Sequence, residues 1–520
     1  MRSSRAARLV GSGLGLLLLL PSPAPAAPLT AADIVARAKA ADKAASPPSE
    51  IQDWAFTRAG LAGTQHVVRR GDDLCETTVE GPFTTRSGRL GATAWHQNEN
   101  GYTIVDVAEP SQAAHPISET VKGPQPASPR YVVSRTLSSG LTERTFYDPA
   151  DFVVMRREYE RDGHVFRLDY SDFRSGPGGR RIAWQQRGAD DRGNVYTAKL
   201  VSDTAAPVED ASLAIPLNRR TLVEFPKGVD EVHLPASVDG GRIHVTVDVN
   251  GYPLTFLLDS GASGIFINPQ AAKELGLRSY GSSAMTVAGT FAFTRVIAPT
   301  VQVGSLTMRD VVMGTVPLDS WESEKDRVVG LLGYDFIAGA DLRITYGDFL
   351  TSGAVDAIRP DVFQAPPLAT TTMAIRLNGQ VPEGHVGIGD ASSDDFIVDT
   401  GAEAPIILFD RFVKAHPLAV ADRGINSGGY DPDQSVVFGV GGRVKIVPLR
   451  LSSFRFADLD FKNFIVLRAE NPGAFGDYRD DGLLGALFLR YFTLYIDYPH
   501  GKLYFEPNDN HKGALGRSVP

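Results

Sequence analysis

A seven-residue motif occurs twice in this sequence, and its repetition limits the folds that the chain can adopt. Residues 256–262 read Phe-Leu-Leu-Asp-Ser-Gly-Ala, and residues 396–402 read Phe-Ile-Val-Asp-Thr-Gly-Ala. Each copy is an apolar strand that ends in a carboxylate, followed by a hydroxyl residue and a glycine. A carboxylate at the end of a buried strand costs desolvation energy, and the glycine permits the sharp turn after it. The pattern therefore predicts that Asp259 and Asp399 have a chemical task and could lie side by side.

A second pair of matching segments follows the two motifs. Residues 330–333 and residues 482–485 both read Gly-Leu-Leu-Gly. The match continues beyond them, where the first copy has Phe336, Leu342, Ile344 and Tyr346 and the second has Phe488, Leu494, Ile496 and Tyr498. Repetition of this kind predicts two copies of one structural unit. Asp-Ser-Gly and Asp-Thr-Gly are ordinary turn sequences by themselves, so the paired context gives them their significance.

This pattern, two apolar residues, Asp, Ser or Thr, Gly and Ala, and later two apolar residues and Gly, resembles the retropepsin-like aspartic proteases. Two copies in one chain resemble the fused dimer of the pepsin architecture. The resemblance covers roughly residues 226–510. It implies a bilobal pair of retropepsin-like β-barrels and an aspartic endopeptidase, a hydrolase that acts on a peptide or protein substrate. Asp259 and Asp399 would be its catalytic residues.

The chemistry of such a pair follows from its two carboxyl groups, which share one proton because both cannot easily ionise at close range. The ionised group activates a water molecule and the protonated group polarises the peptide carbonyl, so neither a metal nor a cofactor is needed. We expect the hydroxyl groups of Ser260 and Thr400 to hold the carboxylates in plane. The residues expected to support the pair, through hydrogen bonds, close backbone approach or packing beneath the loops, are Ser260, Gly261, Thr400, Gly401, Gly333 and Gly485.

Composition excludes several other classes of protein. The chain has a formal net charge of −9 without long runs of one sign. Nucleic-acid binding requires a basic surface, so this charge argues against a nucleic-acid partner. The ten histidines show no ligand spacing with cysteine or acidic residues, so no metal site is predicted. Cys75 is the only cysteine. An intrachain disulfide is therefore impossible, and we expect Cys75 to pack as a small apolar residue.

The start of the chain has the pattern of a signal peptide, predicted over residues 1–26. Three arginines precede the apolar residues 9–20, and the small residues 24–26 fit a cleavage site. The apolar stretch is short for a membrane span, although an uncleaved anchor is the alternative. Later segments lack the length of a span, so the mature chain is expected to have none. The lack of disulfides favours export to the bacterial periplasm or the exterior.

The region before the lobes has a different character. Residues 30–46 are alanine-rich and predict a helix with Thr30 as its N-cap. From residue 51 to about residue 213, short apolar-polar alternations separated by glycine-containing turns predict an antiparallel sheet. One helix before such strands resembles the periplasmic lipoprotein-carrier fold, a half-barrel with an apolar cavity. The segments that carry this resemblance are residues 91–95, 181–184 and 196–200.

The predicted fold is mainly β, with an N-terminal curved antiparallel sheet and helix before the bilobal unit. A flap hairpin is expected near residues 281–297 and a second near residues 426–443, with Tyr280 and Tyr430 in these neighbourhoods. The predicted division is a signal peptide (1–26), an N-terminal accessory domain (27–215), a first lobe (226–352), an inter-lobe strap (353–370) and a second lobe (371–510).

Some alternatives remain open at this level. Glu403 follows the second motif where the first lobe has Ser263, so an extra carboxylate either perturbs the pair or forms a salt bridge. The asymmetry of the lobes and the strap favour a monomer with an intramolecular pseudo-dimer over a pair built across a homodimer. The protein could also be a binding protein instead of an enzyme: a non-catalytic exported protein with a degenerate protease fold that binds peptides or lipids. The N-terminal domain is equally well explained as an accessory or substrate-presenting domain.

Overall fold

The description of the fold comes from a computed structural model and covers most of residues 29–510. The described range excludes residues 46, 107–115, 127–128, 138–140, 162–163, 288, 319–326, 348–351, 368–370, 421–435, 440–441, 458 and 471–479. The predicted signal peptide and Tyr430 lie outside the described residues. The chain is mainly β, which confirms the predicted fold class. None of the helices in the described part of the chain has the length and hydrophobicity that a membrane crossing requires.

The N-terminal domain is one antiparallel sheet with a helix packed against it. The helix α1 (Ala31–Ala45) begins with a reciprocal cap: Thr30 Oγ1 accepts from the backbone N–H of Asp33, and Asp33 Oδ2 accepts from that of Thr30. Its Ile34 packs against Val133 and Tyr147 of the sheet. The strands are β1 (Ser49–Arg58), β2 (Leu61–Arg70), β3 (Asp73–Glu80), β4 (Phe83–Leu90), β5 (Thr93–Gln97), β6 (Thr103–Asp106), β7 (Pro116–Lys122), β8 (Tyr131–Leu137), β9 (Thr142–Tyr147), β10 (Val154–Arg161), β11 (His164–Ser175), β12 (Arg181–Asp190) and β13 (Val195–Thr204).

The order of this sheet is β6-β5-β4-β3-β2-β1-β13-β12-β11-β10-β9-β8-β7. Strands that follow one another in sequence are neighbours, except that β6 and β7 form the two edges and β1 pairs with β13 in the centre. Cys75 lies buried beside Trp95 and Leu213, as expected for a small apolar residue. A short helix, α2 (Asp210–Leu213), follows the sheet.

The first lobe contains eleven strands and two short helices among the described residues. They are β14 (Glu231–His233), β15 (Ala236–Asp239), β16 (Arg242–Val249), β17 (Tyr252–Leu258), β18 (Ile265–Ile267), α3 (Pro269–Glu274), β19 (Ser279–Thr286), β20 (Thr290–Val303), β21 (Leu306–Thr315), β22 (Val328–Leu332), α4 (Tyr334–Ile337), β23 (Asp341–Tyr346) and β24 (Gly353–Ile358). Eight of these strands form a sheet in the order β15-β16-β17-β22-β18-β21-β20-β19.

The second lobe repeats this plan. Its elements are β25 (Thr371–Asn378), β26 (Val381–Ile388), β27 (Ala391–Asp399), β28 (Ile406–Leu408), α5 (Asp410–Ala415), β29 (Val436–Gly439), β30 (Gly442–Phe456), β31 (Leu459–Ala469), β32 (Gly482–Gly485), α6 (Ala486–Leu489), β33 (Phe492–Asp497) and β34 (Lys502–Pro507). In each lobe the motif strand lies parallel to the Gly-Leu-Leu-Gly strand, β17 beside β22 and β27 beside β32. The duplicated signatures therefore meet inside each lobe.

The repeated segments also join the lobes to each other. Strands β23 and β33 pair antiparallel, with Leu342 opposite Ile496 and Ile344 opposite Leu494. In the sequence repeat, Leu342 is equivalent to Leu494 and Ile344 to Ile496. Leu342 thus faces the equivalent of Ile344, and Ile344 faces the equivalent of Leu342, as expected when two copies meet about a local two-fold axis. The predicted strap at residues 353–370 begins later than expected, because its first residues form β24, which pairs with β23. The prolines of that segment suggested a strap, but the first of them is Pro360, beyond the strand.

Candidate active site

Asp259 and Asp399 meet at the interface between the lobes. Asp259 directly follows β17 and Asp399 ends β27. Their carboxyl groups lie close enough for each to alter the pKa of the other. A Cβ atom at Gly261 would lie 2.6 Å from Cγ of Asp399, and one at Gly401 would lie 2.5 Å from Cγ of Asp259. Each glycine thus makes room for the carboxyl group of the opposite lobe.

The hydroxyl groups of Ser260 and Thr400 connect the two loops. Ser260 Oγ donates to the carbonyl oxygen of Val398 (2.6 Å) and accepts from the N–H of Thr400 (3.0 Å). Thr400 Oγ1 donates to the carbonyl oxygen of Leu258 (2.8 Å) and accepts from the N–H of Ser260 (3.0 Å). The expectation that these hydroxyl groups bond the carboxylates was wrong. They hold the carboxylates indirectly, because each fixes the backbone of the opposite loop, and both side chains are buried.

The two carboxyl groups differ in their surroundings. Asp399 is partly exposed, and its Oδ1 accepts from the N–H groups of Gly401 (2.8 Å) and Ala402 (3.0 Å). Burial raises the pKa of Asp399, and these N–H donors oppose the rise by stabilising the ionised form. Burial raises the pKa of Asp259 well above its ordinary value, and the negative charge of Asp399 raises it further, while the N–H groups of Gly261 and Ala262 oppose the rise. Two carboxyl groups held this close share one proton.

Gly333 and Gly485 lie beneath the two loops, at positions that admit only glycine. A Cβ atom at Gly333 would collide with the carbonyl oxygen of Ala262, and one at Gly485 would collide with that of Ala404. The residue after Gly333 donates its N–H to the same Ala262 oxygen (3.0 Å), and the residue after Gly485 donates to Ala402 (2.9 Å). The structure thus brings all eight predicted site residues into one assembly.

Two buried tyrosines near the pair were not assigned to the site from the sequence. Burial raises the pKa of Tyr346 and of Tyr498, and the charge of Asp399 adds to both shifts, which places the phenols near the carboxyl groups. Tyr498 stacks on Tyr334 with ring centroids 5.7 Å apart. Tyr346 and Tyr498 occupy equivalent positions of the repeat, and that symmetry is the signal that could have identified them.

A buried carboxylate, Asp335, lies behind the loop that follows Asp259, and no sequence pattern singles it out. Its Oδ1 accepts from the side-chain amide of Asn98 (2.7 Å) and its Oδ2 from that of Asn100 (2.8 Å), both in the N-terminal domain. The backbone N–H of Ile265 also hydrogen bonds to it. Burial raises the pKa of Asp335 to about 6, against the opposing effect of Asn100 and Asn98. Asp335 therefore links the N-terminal domain to the active-site loop.

The first predicted flap lies within a longer hairpin formed by β19 and β20. Tyr280 does not lie over the carboxyl pair, but packs edge-on against Phe83 of the N-terminal domain, with ring centroids 5.5 Å apart. Most of the second predicted flap, residues 426–443, lies outside the described residues. Glu403 points away from the pair and forms a salt bridge of 3.3 Å with Arg242 of the first lobe, the second of the two arrangements that the sequence left open.

The site offers a metal ion little beyond the two carboxyl groups. Within the described ranges, three or more His, Cys, Asp or Glu side chains are nowhere grouped in an arrangement that could bind a metal ion. The two carboxyl groups can transfer protons to and from a group that lies against them.

A family model described as aspartyl protease matches residues 245–336, which include Asp259 and the Gly-Leu-Leu-Gly segment of the first lobe. The match indicates an aspartic-protease-like unit in that part of the chain. No curated protein sequence matches the chain.

Solved structures with a similar fold include an aspartic proteinase from Irpex lacteus, at 15% identity and a TM-score of 0.34, covering 54% of this chain and 98% of that one. Soybean basic 7S globulin is similar at 12% identity and a TM-score of 0.33, covering 55% and 97%. For the N-terminal part, a LolA superfamily protein from Nitrosomonas europaea is similar at 12% identity and a TM-score of 0.28, covering 36% and 98%. At these identities the likenesses concern the fold alone.

Proposed function

We propose that this protein is an aspartic endopeptidase that hydrolyses peptide bonds with water activated by Asp259 and Asp399. The observation that supports the proposal most strongly is the contact of the two carboxyl groups at the lobe interface, where each lies against the glycine of the opposite motif. Burial raises the pKa of both groups, and the charge of Asp399 adds to the rise at Asp259. One acid and one base held in contact are what the reaction requires.

The reaction proceeds in two steps. Asp399 accepts a proton from water as the water oxygen bonds to the carbonyl carbon, and Asp259 donates its proton to the carbonyl oxygen. In the second step the C–N bond breaks, the leaving nitrogen takes the proton from Asp399, and a hydroxyl group of the intermediate returns a proton to Asp259. Each carboxyl group ends in its starting state, and no electrons enter or leave.

The substrate is an extended peptide that lies between the carboxyl pair and the hairpin of β19 and β20. A peptide in this conformation can pair with exposed strand edges through its backbone, which places the scissile carbonyl without fixing the sequence. The hydrogen bonds of Ser260 and Thr400 keep the two loops from separating when such a peptide binds.

The proposal includes export of the protein. The arginines, apolar residues and small residues within residues 1–26 support cleavage before Ala27. N-terminal sequencing of the protein recovered from the periplasm or the medium would give a first residue near Ala27. An unprocessed chain recovered from the cytoplasm would contradict export.

Cleavage of an unfolded protein at mildly acidic pH tests the activity. We expect fragments to appear with the wild-type protein, and we expect the aspartic-protease inhibitor pepstatin to suppress them. A chelator should have no effect on the rate. An unfolded protein that binds but remains intact would favour the non-catalytic binding protein over the endopeptidase.

A further inference from the structure

The hairpin of β19 and β20 is attached to the N-terminal domain along its outer edge. The N–H of Ser282 donates to the carbonyl oxygen of Ala59 (2.8 Å). The side-chain amide of Asn194 donates to the carbonyl oxygen of Ala284 (2.9 Å) and accepts from the N–H of the same residue (2.7 Å). Because β19 is the edge strand of its sheet, these bonds satisfy backbone groups that an adjacent strand would otherwise satisfy.

Ion pairs join the inner strand of the same hairpin to the N-terminal domain. Arg295 of β20 donates to Glu80 (2.6 Å) and lies 3.3 Å from Glu99. Its guanidinium group also stacks over the ring of Phe83, 4.2 Å from the centroid. The Glu80 side chain is only 3% exposed, so this contact is part of a buried interface. Together with Asp335 and its two asparagines, these contacts fix both the hairpin and the loop after Asp259 against one domain.

A cavity of about 330 Å³ lies between the attached surfaces. Ser263 and Gly264, which follow Asp259 and its motif in sequence, form one wall, and Gln380 from the second lobe closes another. The floor is apolar, with Phe266 and Phe293. The N-terminal domain provides the remaining wall, which includes Arg58 and Glu99. The cavity is thus continuous with the loop that carries Asp259 but is completed by another domain.

The charged wall has one accessible group that differs from the rest. Arg58 binds Glu80 through Nε (2.9 Å) and Nη2 (3.0 Å), and its Nη1 has no partner among the described residues. Its side chain is 53% exposed, whereas those of Glu99 and Arg295 are 31% and 15% exposed. Glu99 is turned toward Arg295. The exposed edge of the Arg58 guanidinium is therefore the positive group on this wall that a ligand can reach, although Asp335 and Glu99 also line the cavity.

We propose that the N-terminal domain completes the substrate-binding cleft, and that this cavity is a subsite for an acidic side chain of the peptide, recognised by Arg58. The proposal rests on the proposed endopeptidase function, which makes the substrate a peptide. It adds a preference for an acidic side chain at one position of that peptide. The apolar floor accommodates the methylene groups of a glutamate, and the Arg58 guanidinium pairs with its carboxylate.

The experiment uses a peptide that spans a cleavage site found in a digested unfolded protein, with Glu, Gln or Lys placed at each position in turn. For the wild-type protein we expect one position at which Glu exceeds Gln in kcat/KM by about fivefold, as for a partly exposed ion pair. Arg58→Gln should abolish this preference, so that the Glu and Gln peptides are cleaved with similar kcat/KM. Arg58→Lys should retain part of it because the charge remains.

Arg174→Gln is the matched control, since Arg174 is also half-exposed (50%) and paired with a carboxylate, Asp172, in the same domain. It should leave the preference unchanged. Arg58→Gln is expected to fold because Glu80 keeps Arg295 as a partner, and its thermal unfolding compared with that of Arg174→Gln checks this. Hydrolysis with a Glu preference that survives in Arg58→Gln would overturn the subsite and leave the endopeptidase intact.

A binding measurement separates the two proposals. Fluorescence anisotropy with the Asp399→Asn protein and labelled peptides of otherwise random sequence, which carry Glu, Gln or Lys at one position, reports affinity without cleavage and needs no known cleavage site. If the wild-type protein hydrolyses nothing but the Glu peptide binds better than the Gln peptide only when Arg58 is present, the endopeptidase fails and the subsite stands. If affinity shows no dependence on Arg58, the subsite is wrong.

Discussion

The loops after Asp259 and Asp399 both continue with a hydroxyl residue, Gly and Ala, but the next residue is Ser263 in the first lobe and Glu403 in the second. Glu403 reaches across the interface to Arg242, in a half-exposed ion pair. The loop of Ser263 has no such charge and lies beside the cavity that the N-terminal domain closes. Two copies of one unit thus keep their shape by different means.

The two lobes are therefore equivalent in the residues that hold the carboxyl pair, and they differ from the next residue onward, at Ser263 and Glu403. The hydrogen bonds of Ser260 and Thr400 are equivalent in the two lobes to within 0.2 Å. Behind the loops, the buried Asp335 of the first lobe corresponds to an apolar residue, Leu487, in the second. The first lobe therefore needs the asparagines of another domain, and the second does not.

The largest expected effect tests the symmetric part. Gly261→Ala and Gly401→Ala would each place a methyl group within 2.6 Å of the opposite carboxyl carbon. Because a displacement of about 1 Å at a reacting group costs about 100-fold in rate, both variants should lose at least that much kcat/KM. Gly123→Ala, where a Cβ atom meets nothing within 4 Å, is the control. Strongly unequal losses in the two lobes would show that the pair is not functionally symmetric.

The next effect separates the lobes. Asn100→Ala removes one donor to Asp335 and two hydrogen bonds to Val312. Leaving a buried carboxylate under-paired should lower the free energy of unfolding by about 3 kcal/mol. The loss should be larger at about pH 8, where Asp335, with its pKa of about 6, is ionised, than at about pH 5. Calorimetric unfolding at both pH values measures it, and an equal loss at both would contradict this role of Asp335.

A smaller effect concerns the strand pair that joins the lobes. Asp341 of β23 is fully buried, and the second lobe has Thr493 at the equivalent position. Burial and the nearby charge of Asp497 raise the pKa of Asp341 to about 7. In the unfolded chain the carboxyl group of Asp341 has the ordinary pKa of about 4. The free energy of unfolding should therefore fall as the pH rises from about 4 to about 7 and then level off.

Asp341→Asn should remove that fall. We expect the variant to be more stable than the wild type at about pH 8 and equal to it at about pH 4. Urea denaturation at the two pH values is the measurement. A variant that is less stable than the wild type at the higher pH would mean that the ionised Asp341 has a stabilising partner.

The smallest effect is expected at the ion pair between Glu403 of the second lobe and Arg242 of the first. Glu403→Gln removes the charge from a pair that is 48% exposed at the glutamate and 3.3 Å long. Such pairs contribute about 0.5 kcal/mol to the free energy of unfolding, and salt screens the attraction between their charges. The variant should therefore match the wild type at high salt in calorimetric unfolding. A loss as large as that of Asn100→Ala would remove the contrast between the lobes.

The sequence predicted the mainly β fold and the meeting of Asp259 with Asp399, because a duplicated motif carries its partner within the same chain. It misassigned the hydroxyl groups of Ser260 and Thr400, since only the paired loops reveal which backbone atoms face them. It also missed the link from Asn98 and Asn100 to Asp335. That contact joins residues more than 200 positions apart, and neither asparagine stands in a recurring pattern.

The most direct test of the central claim compares hydrolysis by Asp259→Asn, Asp399→Asn and the double variant. Each single change should lower kcat by at least about 1,000-fold while the fold is retained, and the double variant should be little worse, because the two groups act as one unit. Asp394→Asn, an exposed change on the same strand as Asp399, should retain wild-type activity. A single variant that hydrolyses peptides at nearly the wild-type rate would contradict the shared-proton mechanism.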